Sequence, residues 1–288
     1  MAAEVRSVAA AGEPAAARLA RPRAAGVGLL WLGQAGFVLS GRHRLVIDPY
    51  LSDSLAEKYR GTPRPHVRMM PPPVSPAGLG SVDLVLCTHQ HTDHMDPGTL
   101  QPLAALNPAL RFVVPRAAQA EALKRTGAGA DRLILLDAGE TVTPLEGVTI
   151  TAARAAHETL ERDAAGCHRF LGYLVAMDGV RLFHSGDTVP FPGQVADVAA
   201  LRPDVVLLPV NGRSAALAAG GVPGNLTLDE AVALAQAAGA PAMVAHHYGL
   251  FDFNTADPAA IDACAAQVTG LQLERARTDR DLAIRPRA

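Results

Sequence analysis

The chain has 288 residues, 49% of them hydrophobic, and only three cysteines, Cys87, Cys167 and Cys264. This composition supports a large apolar core and argues against a disulfide-rich secreted domain. The formal net charge of −2 and the aromatic content of 4% indicate neither a basic nucleic-acid surface nor a stacking platform for single strands. We expect a cytoplasmic globular protein with no membrane span, because no apolar run is long enough to cross a bilayer.

Residues 1–28 are rich in Ala and Arg and lack the continuous apolar run of a secretory signal. A transit peptide and a loosely ordered or helical lead segment both fit this composition, and we favour the lead segment. From Leu29, short apolar runs separated by Gly turns predict strands, and strand and helix patterns then alternate. No linker interrupts 29–288, so we expect one domain of two packed sheets with helices outside.

Residues 60–80 form a Pro-rich stretch without helical or strand periodicity. We expect an ordered surface loop there, near whatever the strands present. Further on, Thr227 and Glu230 have the spacing of a capping box, which predicts a helix start.

The stretch THQHTDHMD, residues 88–96, follows the apolar run VDLVLC directly. Residues two apart on an extended segment project to the same side, so His89 and His91 can share one ion. If a helix begins near Asp93, then Asp93 and His94 point back toward the same place and can hold a second ion. Imidazole and carboxylate are ligands of divalent metals at hydrolytic centres. A solvated loop with histidines placed by chance would explain one His-x-His pair, but not four fixed positions after a strand.

Two later segments also combine a strand with polar residues at its end. LFHSGDT, residues 182–188, places Asp187 after an apolar run, and AHHYGLF, residues 245–251, offers His246 and His247. An Asp in such a turn is more often a plain turn residue. Three strand-end signals in one chain nevertheless argue against coincidence.

These motifs together resemble the metallo-β-lactamase fold superfamily, whose α/β fold is an αββα sandwich of two mixed sheets with helices on the outer faces. The resemblance implies one metal held by His89, His91 and His157, a second held by Asp93, His94 and His247, and Asp187 bridging the two. His168 is the alternative to His157, and His246 is the alternative to His247. We prefer His157 because it directly follows the strand GVTITAA, and His247 because it matches the His-Tyr segment of relatives.

Within the superfamily the chain is most similar to the ascorbate-6-phosphate lactonase group, on WLGQAGF (31–37), PVNGR (209–213), GNLTLDEA (224–231) and HHYGLF (246–251). The resemblance implies that a hydroxide bridging two metals opens a small phosphorylated sugar lactone or a related ester. Asp93 and Asp187 are the catalytic candidates, since either could accept the proton as the ring opens. His91 stands where the flavodiiron branch has Glu, which argues against oxygen-reducing chemistry.

The lactonase resemblance implies Mn²⁺, whereas general affinity favours Zn²⁺, and Fe²⁺ is also compatible with the ligands. Asn211 and Arg213 follow the strand DVVLLPV and suit an anionic group of a small-molecule substrate. A turn and a surface arginine explain them equally well. Gln34 could donate to the substrate or tie its loop beside the metals, and we place Tyr248 in the same substrate-binding set.

Two other functions remain open from the sequence. The first is a phosphodiesterase of the N-acylphosphatidylethanolamine phospholipase D-like type, because a dinuclear site also assists displacement at phosphorus. A lipid substrate would require an exposed apolar entry surface, for which Met69 and Met70 of the Pro-rich loop are the candidates. The second is a non-catalytic metal-binding sensor of a metabolite. Ala-rich helices also leave room for a homo-oligomer.

Overall fold

Two β-sheets of eight and seven strands stack face to face in the computed structural model, which describes residues 3–21 and 25–286. The first sheet has the strand order β1 (Glu4–Ala9), β15 (Arg280–Arg285), β2 (Val27–Gly33), β3 (Gly36–Ser40), β4 (Arg44–Ile47), β5 (Leu84–Leu86), β6 (Arg111–Pro115), β7 (Leu133–Leu136). The second has the order β14 (Gln272–Arg275), β13 (Ala242–His246), β12 (Val205–Pro209), β11 (Val180–His184), β10 (Leu171–Met177), β9 (Val148–Arg154), β8 (Thr141–Leu145).

The described residues also form eight α-helices. They are α1 (Ala15–Ala20), α2 (Ser54–Lys58), α3 (Pro97–Leu106), α4 (Gln119–Thr126), α5 (Gln194–Leu201), α6 (Ala215–Ala219), α7 (Leu228–Ala237) and α8 (Pro258–Gln267). Helices α1, α3 and α4 pack on the first sheet, and α5, α7 and α8 pack on the second. The predicted αββα sandwich of two mixed sheets is therefore confirmed. The capping box of Thr227 and Glu230 is also present at the start of α7.

The central strands are mainly apolar because their alternate residues face two different parts of the core. In β4, Leu45 and Ile47 belong to the core between the sheets, whereas Val46 belongs to the core under α3 and α4. Both faces of the strand are covered, so no polar position is needed. Each such fully buried aliphatic side chain contributes about 1.5–3 kcal/mol of transfer free energy.

The first residues of the chain form part of this architecture. The expectation of a loosely ordered or helical lead over 1–28 is wrong for Glu4–Ala9, which pair antiparallel with β15 as an edge strand. The physical reason is that β15 offers an open edge and that Val5 is buried against the core. Residues 15–20 of the same segment form α1. Residues 1, 2 and 22–24 of this segment lie outside the described residues.

The Pro-rich stretch has no strand and only a short 3-10 turn, Ala77–Leu79, but a side chain anchors it to the residues that follow β4. Arg68 donates to the carbonyl oxygens of Tyr50 and Ser52, at 2.5 and 3.1 Å. No helix in the described part of the chain has both the length and the apolarity to cross a membrane.

The strand directions place the carboxyl ends of several strands at a single edge of the sandwich. β4 and β5 are parallel neighbours in the first sheet, and β11, β12 and β13 are parallel neighbours in the second. β9 runs in the same direction as β11, because each is antiparallel to β10. Parallel strands collect their carboxyl ends at one edge, which is where polar side chains can converge on a ligand.

Candidate metal centre

The seven side chains predicted as ligands converge at this edge. His89, His91, Asp93 and His94 follow β5, His157 follows β9, Asp187 follows β11, and His247 follows β13. The chain after β5 does not enter a helix near Asp93. Instead, the amides of His94 and Met95 donate to the carbonyl of His91, and α3 begins only at Pro97 after its N-cap Asp96. A tight turn, rather than a first helical turn, therefore brings Asp93 and His94 back toward His89.

Three overlapping groups of side chains each bring their ligand atoms within 4.8 Å of one another: His89 with His91 and His157, Asp93 with His94 and His247, and His89 with His94 and Asp187. Asp187 is central. Its carboxylate oxygens lie 3.2 Å from Nε2 of His247, 3.3 Å from Nε2 of His94 and 3.7 Å from Nε2 of His157. The first two groups are the two ligand sets implied by the family resemblance, with Asp187 beside both.

The donor atoms in this cluster fit a bound metal. Nε2 of His89, His94 and His247 are buried and have no hydrogen-bond partner among the described residues. Burying an unpartnered polar atom costs free energy. A divalent cation would satisfy these imidazole nitrogens, and the absence of a thiolate leaves a nitrogen and oxygen donor set.

Neighbouring charges and burial shift the pKa values of the cluster in opposite directions. Burial alone would raise the pKa of Asp187, but the neighbouring His247 and His94 hold it well below its usual value. Burial lowers the pKa of His157 to about 4, and it lowers the pKa of His89 as well. Carboxylates are thus kept ionised and these imidazoles neutral, the forms that bind metals.

Asp48, which the sequence analysis missed, supports the cluster from behind. Its Oδ2 lies 2.7 Å from Nδ1 of His94 and accepts a hydrogen bond from Oγ1 of Thr88 at 2.6 Å, while its Oδ1 accepts from the Thr88 amide. The carboxylate fixes the His94 ring so that Nε2 faces the other ligands. Its only sequence signal is its position at the end of the apolar run RLVID.

Gln34 ties the turn between β2 and β3 to the cluster. Its side-chain Nε2 donates to Oδ2 of Asp93 at 3.0 Å. Its main-chain carbonyl accepts from the amide of His247 and from Nε1 of Trp31. Gln34 has a φ of 51°, which is uncommon for a residue other than glycine. The turn therefore holds one carboxylate and one histidine of the cluster.

The two alternative histidines lie elsewhere. His168 bonds through Nδ1 to Oδ1 of Asp137 at 2.8 Å and belongs to none of the three groups. His246 is fully buried, with its ring stacked on His184 and edge-on to Phe37. The structure thus brings His157 and His247 into the cluster and leaves both alternatives outside.

A cavity of about 900 Å³ opens onto the cluster. Five of the seven side chains line it, namely His91, Asp93, His157, Asp187 and His247, together with Gln34. The remaining walls come from α2 and the residues that follow it, from Gln90 and Thr92, from Glu121 and Arg125 of α4, from 220–223, and from Phe251 and Asn254. Lys58, Arg64 and Arg125 are the lysine and arginine residues in the lining.

Three of the predicted substrate-binding residues do not line this cavity. Arg213 makes a two-pronged ion pair with Glu230 of α7, with both N–O distances at 2.6 Å. The Asn211 amide is hydrogen-bonded to Asn254 and Asn225. The hydroxyl of Tyr248 donates to the carbonyl of Ala276, which turns it away from the cluster.

The same physical reason explains why these three side chains do not line the cavity. Each of these side chains finds a partner from a distant segment, and that partner is not visible in the local sequence. Tyr248 also stacks on Trp31, with ring centroids 5.1 Å apart, and is almost fully buried. It supports the cluster from behind and does not contact the cavity.

Residues 43–248 match the family model described as "Beta-lactamase superfamily domain". The chain is 32% identical over 226 residues to a UPF0173 metal-dependent hydrolase of Methanoculleus marisnigri, covering 77% of this chain and 81% of that protein. A protein of the same name from Methanosphaerula palustris is 29% identical over 253 residues, covering 85% and 94%.

Solved structures with the same fold include an isothiocyanate hydrolase from Delia radicum gut bacteria, with a TM-score of 0.71 at 20% identity over 88% of this chain and 97% of that one. Igni18, a metallo hydrolase from Ignicoccus hospitalis, has a TM-score of 0.67 at 19% identity over the same shares of the two chains. At these identities the likeness shows the shared fold alone.

Proposed function

The chain belongs to the beta-lactamase superfamily and is a metal-dependent hydrolase, and we propose that it uses two divalent cations to open a small ester or lactone. The observation that carries this proposal is the grouping of the seven ligand side chains into two sets, with Asp187 beside both. Zn²⁺ and Mn²⁺ are the proposed ions, and Fe²⁺ is also compatible with imidazole and carboxylate ligands.

His89, His91 and His157 would hold one ion, Asp93, His94 and His247 would hold the other, and Asp187 would contact both. Two bound cations supply an activated water near neutral pH and a Lewis acid for the substrate carbonyl. The protein residues position these groups. Asp48 fixes the His94 ring, and Gln34 holds the Asp93 carboxylate by a hydrogen bond of 3.0 Å.

The proton released by the attacking water needs an acceptor within the cavity. Asp93 and Asp187 are the carboxylates of the cluster that line it, and both stay ionised because neighbouring histidines outweigh the effect of burial on their pKa values. We propose that one of them accepts this proton and passes it to the leaving oxygen as the ring opens.

The proposed substrate carries an anionic group, and a phosphorylated sugar lactone is the candidate suggested by the resemblance to ascorbate-6-phosphate lactonases. Arg213 is not available to bind the phosphate because Glu230 already pairs with it. Lys58 and Arg64 line the cavity instead and carry the positive charge that an anion needs. A cytoplasmic location and a homo-oligomer also remain predictions.

The proposal is tested by supplying Mn²⁺ or Zn²⁺ and measuring acid release from a sugar-lactone 6-phosphate beside nitrophenol release from bis(4-nitrophenyl) phosphate. Asp187→Asn serves as the blank. Lactone opening well above this blank is the expected result. Turnover of the phosphodiester alone would overturn the ester or lactone assignment.

A phosphodiesterase acting on a lipid is the second candidate, and one observation favours it. Val67 and Met69, in the loop beside the cavity, are 65% and 58% exposed, which gives the apolar surface that such a substrate requires. In the same assay, replacing Met69 by Ser would lower turnover of a vesicle-bound phosphodiester but leave turnover of a water-soluble one unchanged if this candidate is correct.

A further inference from the structure

One stretch of the cavity wall is built from stacked rings that the metal chemistry does not use. The rings of Tyr59 and His66 are nearly parallel, with centroids 4.2 Å apart. His66 in turn meets Phe251 and Phe253 edge-on, at 5.0 and 4.8 Å. Tyr59, His66 and Phe251 line the cavity, and we call these three residues with Phe253 the aromatic wall.

The wall is held rigidly from behind. Phe251 packs in a small buried cluster with Tyr50, Leu55 and Leu250. His66 has a φ of 53°, a left-handed conformation that few non-glycine residues adopt, and its Nδ1 donates to the carbonyl of Arg64 at 2.7 Å. Because the ring hydrogen bond and the contacts with three aromatic rings hold His66, its ring is oriented before any ligand arrives.

The aromatic wall is part of an apolar stretch of the cavity lining, and two positively charged side chains lie next to its rings. Apolar lining comes from Leu55, Tyr59, Pro63, Val222, Pro223 and Phe251. Lys58 places its ammonium 4.9 Å from the centre of the Tyr59 ring, and Arg64 lies over the Phe253 ring at 6.0 Å. An apolar group on the wall would therefore lie close to positive charge.

The size of the cavity agrees with a ligand larger than a single small ring. A volume of about 900 Å³ is near the upper end of the roughly 300–1,000 Å³ found for pockets that bind drug-sized ligands. Aromatic faces bind planar apolar groups by offset or edge-to-face contact, which a non-planar group of equal size cannot reproduce.

We propose that the aromatic wall selects esters or lactones that carry a planar apolar group near the scissile bond, with Tyr59 and His66 as specificity residues. This inference rests on the proposed hydrolase function and narrows its substrate class. Lys58 and Arg64 would meet an anionic substituent on the same group. The metal ligands carry out the bond cleavage, and the wall decides which substrate reaches them.

The test compares three lactones with the same scissile ester bond, namely γ-phenyl-, γ-cyclohexyl- and γ-methyl-γ-butyrolactone, with the metal-loaded protein. We expect kcat/KM for the phenyl compound to exceed that for the cyclohexyl compound about three- to tenfold, the range of aromatic pair energies. Tyr59→Ala should remove this preference, mainly through KM, and leave the methyl compound within about twofold. Tyr59→Phe, which keeps the ring, should retain it.

Leu106→Ala is the control, because Leu106, the last residue of α3, is an exposed apolar residue that does not line the cavity. It should change none of the three values. Opening of all three lactones without a phenyl preference, or a preference that survives Tyr59→Ala, would overturn the wall's role while leaving the hydrolase proposal intact.

A binding measurement separates the two proposals. Calorimetric titration with phenylacetate and cyclohexylacetate compares planar and non-planar rings that carry the same carboxylate. If no lactone is opened but phenylacetate binds more tightly and Tyr59→Ala abolishes the difference, the ester or lactone assignment fails and the role of the wall is supported. Equal binding of the two acids by the wild type would contradict the proposed selectivity of the aromatic wall.

Discussion

The metal edge and the aromatic wall meet in one cavity but are built in different ways. Each predicted ligand follows a strand of the sandwich, and His89, His94, Asp187 and His247 are at most 4% exposed. The wall comes from the end of a five-residue helix and from a loop, and Tyr59 and His66 are only partly buried. The contrast suggests that the sheets hold the chemistry in place, whereas loops that can change without disturbing the core determine the substrate.

The largest expected effect is at the metal edge. Asp187→Asn removes the charge that lies beside both ligand sets, so lactone hydrolysis should fall by more than the about 10–100-fold typical of residues behind the ligands. Steady-state rates with saturating Mn²⁺ or Zn²⁺ provide the measurement. Asp279→Asn, at an exposed carboxylate that pairs with the nearby Arg277 and Arg280, is the control. Full activity in Asp187→Asn would show that the cluster is not the reaction centre.

The second effect is smaller and concerns the support of one ligand. Asp48→Asn removes the negative charge that fixes Nδ1 of His94, and we expect metal affinity to fall about 10–100-fold. Competition with a chromophoric chelator measures this. Asp137→Asn is a matched control, because Asp137 holds His168 at 2.8 Å in a similar pair away from the cluster. Equal losses in both variants would contradict the assignment of His157 over His168.

The third prediction concerns the turn between β2 and β3, whose Gln34 holds the Asp93 carboxylate. Gln34→Ala deletes the hydrogen bond to the Asp93 carboxylate, and loss of a bond to a charged group costs about 1.5 kcal/mol or more, which corresponds to about tenfold in kcat/KM. Gln101→Ala, at an exposed glutamine, should leave kcat/KM unchanged. A change in KM alone, with kcat preserved, would instead mean that Gln34 acts on the substrate.

The smallest effect is expected at Arg213, the anchor that the sequence suggested for an anion. Arg213→Ala should leave kcat/KM within about twofold for an anionic lactone and should cost at most about 1 kcal/mol of unfolding free energy, because the pair with Glu230 is partly exposed to solvent. Lys58→Ala should lower kcat/KM for the anionic lactone more than for its neutral analogue. If Arg213→Ala lowers kcat/KM for the anionic lactone more than Lys58→Ala does, Arg213 is the anion contact after all.

The sequence was sufficient to predict the parts whose signals are local. Apolar runs of strand length predict the two sheets, and polar residues directly after those runs predict the cluster of histidines and aspartates, since parallel strands end at one edge. The turn at His91 could not be distinguished from a helix start, because both bring Asp93 and His94 back toward His89. The strand at Glu4–Ala9 was missed because its partner, β15, comes at the other end of the chain.

The substrate side was poorly predicted for a related reason. Arg213 pairs with a glutamate from α7, and Tyr248 bonds to a carbonyl beyond β14, so their directions depend on contacts far away in sequence. Tyr59 and His66 belong to a stretch with no periodicity and no motif. Asp48 has only a strand-end position as its signal. Tertiary packing decides these positions, and local patterns do not contain it.

The metal content of the purified protein distinguishes a dinuclear hydrolase from other metal-binding proteins. The purified chain, saturated with Zn²⁺ or Mn²⁺ and freed of excess ion, should contain two divalent ions per chain by elemental mass spectrometry. Asp187→Asn should contain one or fewer under the same conditions. A wild-type chain that holds only one ion at saturation, or that hydrolyses its substrate after complete removal of metal, would contradict a dinuclear hydrolase.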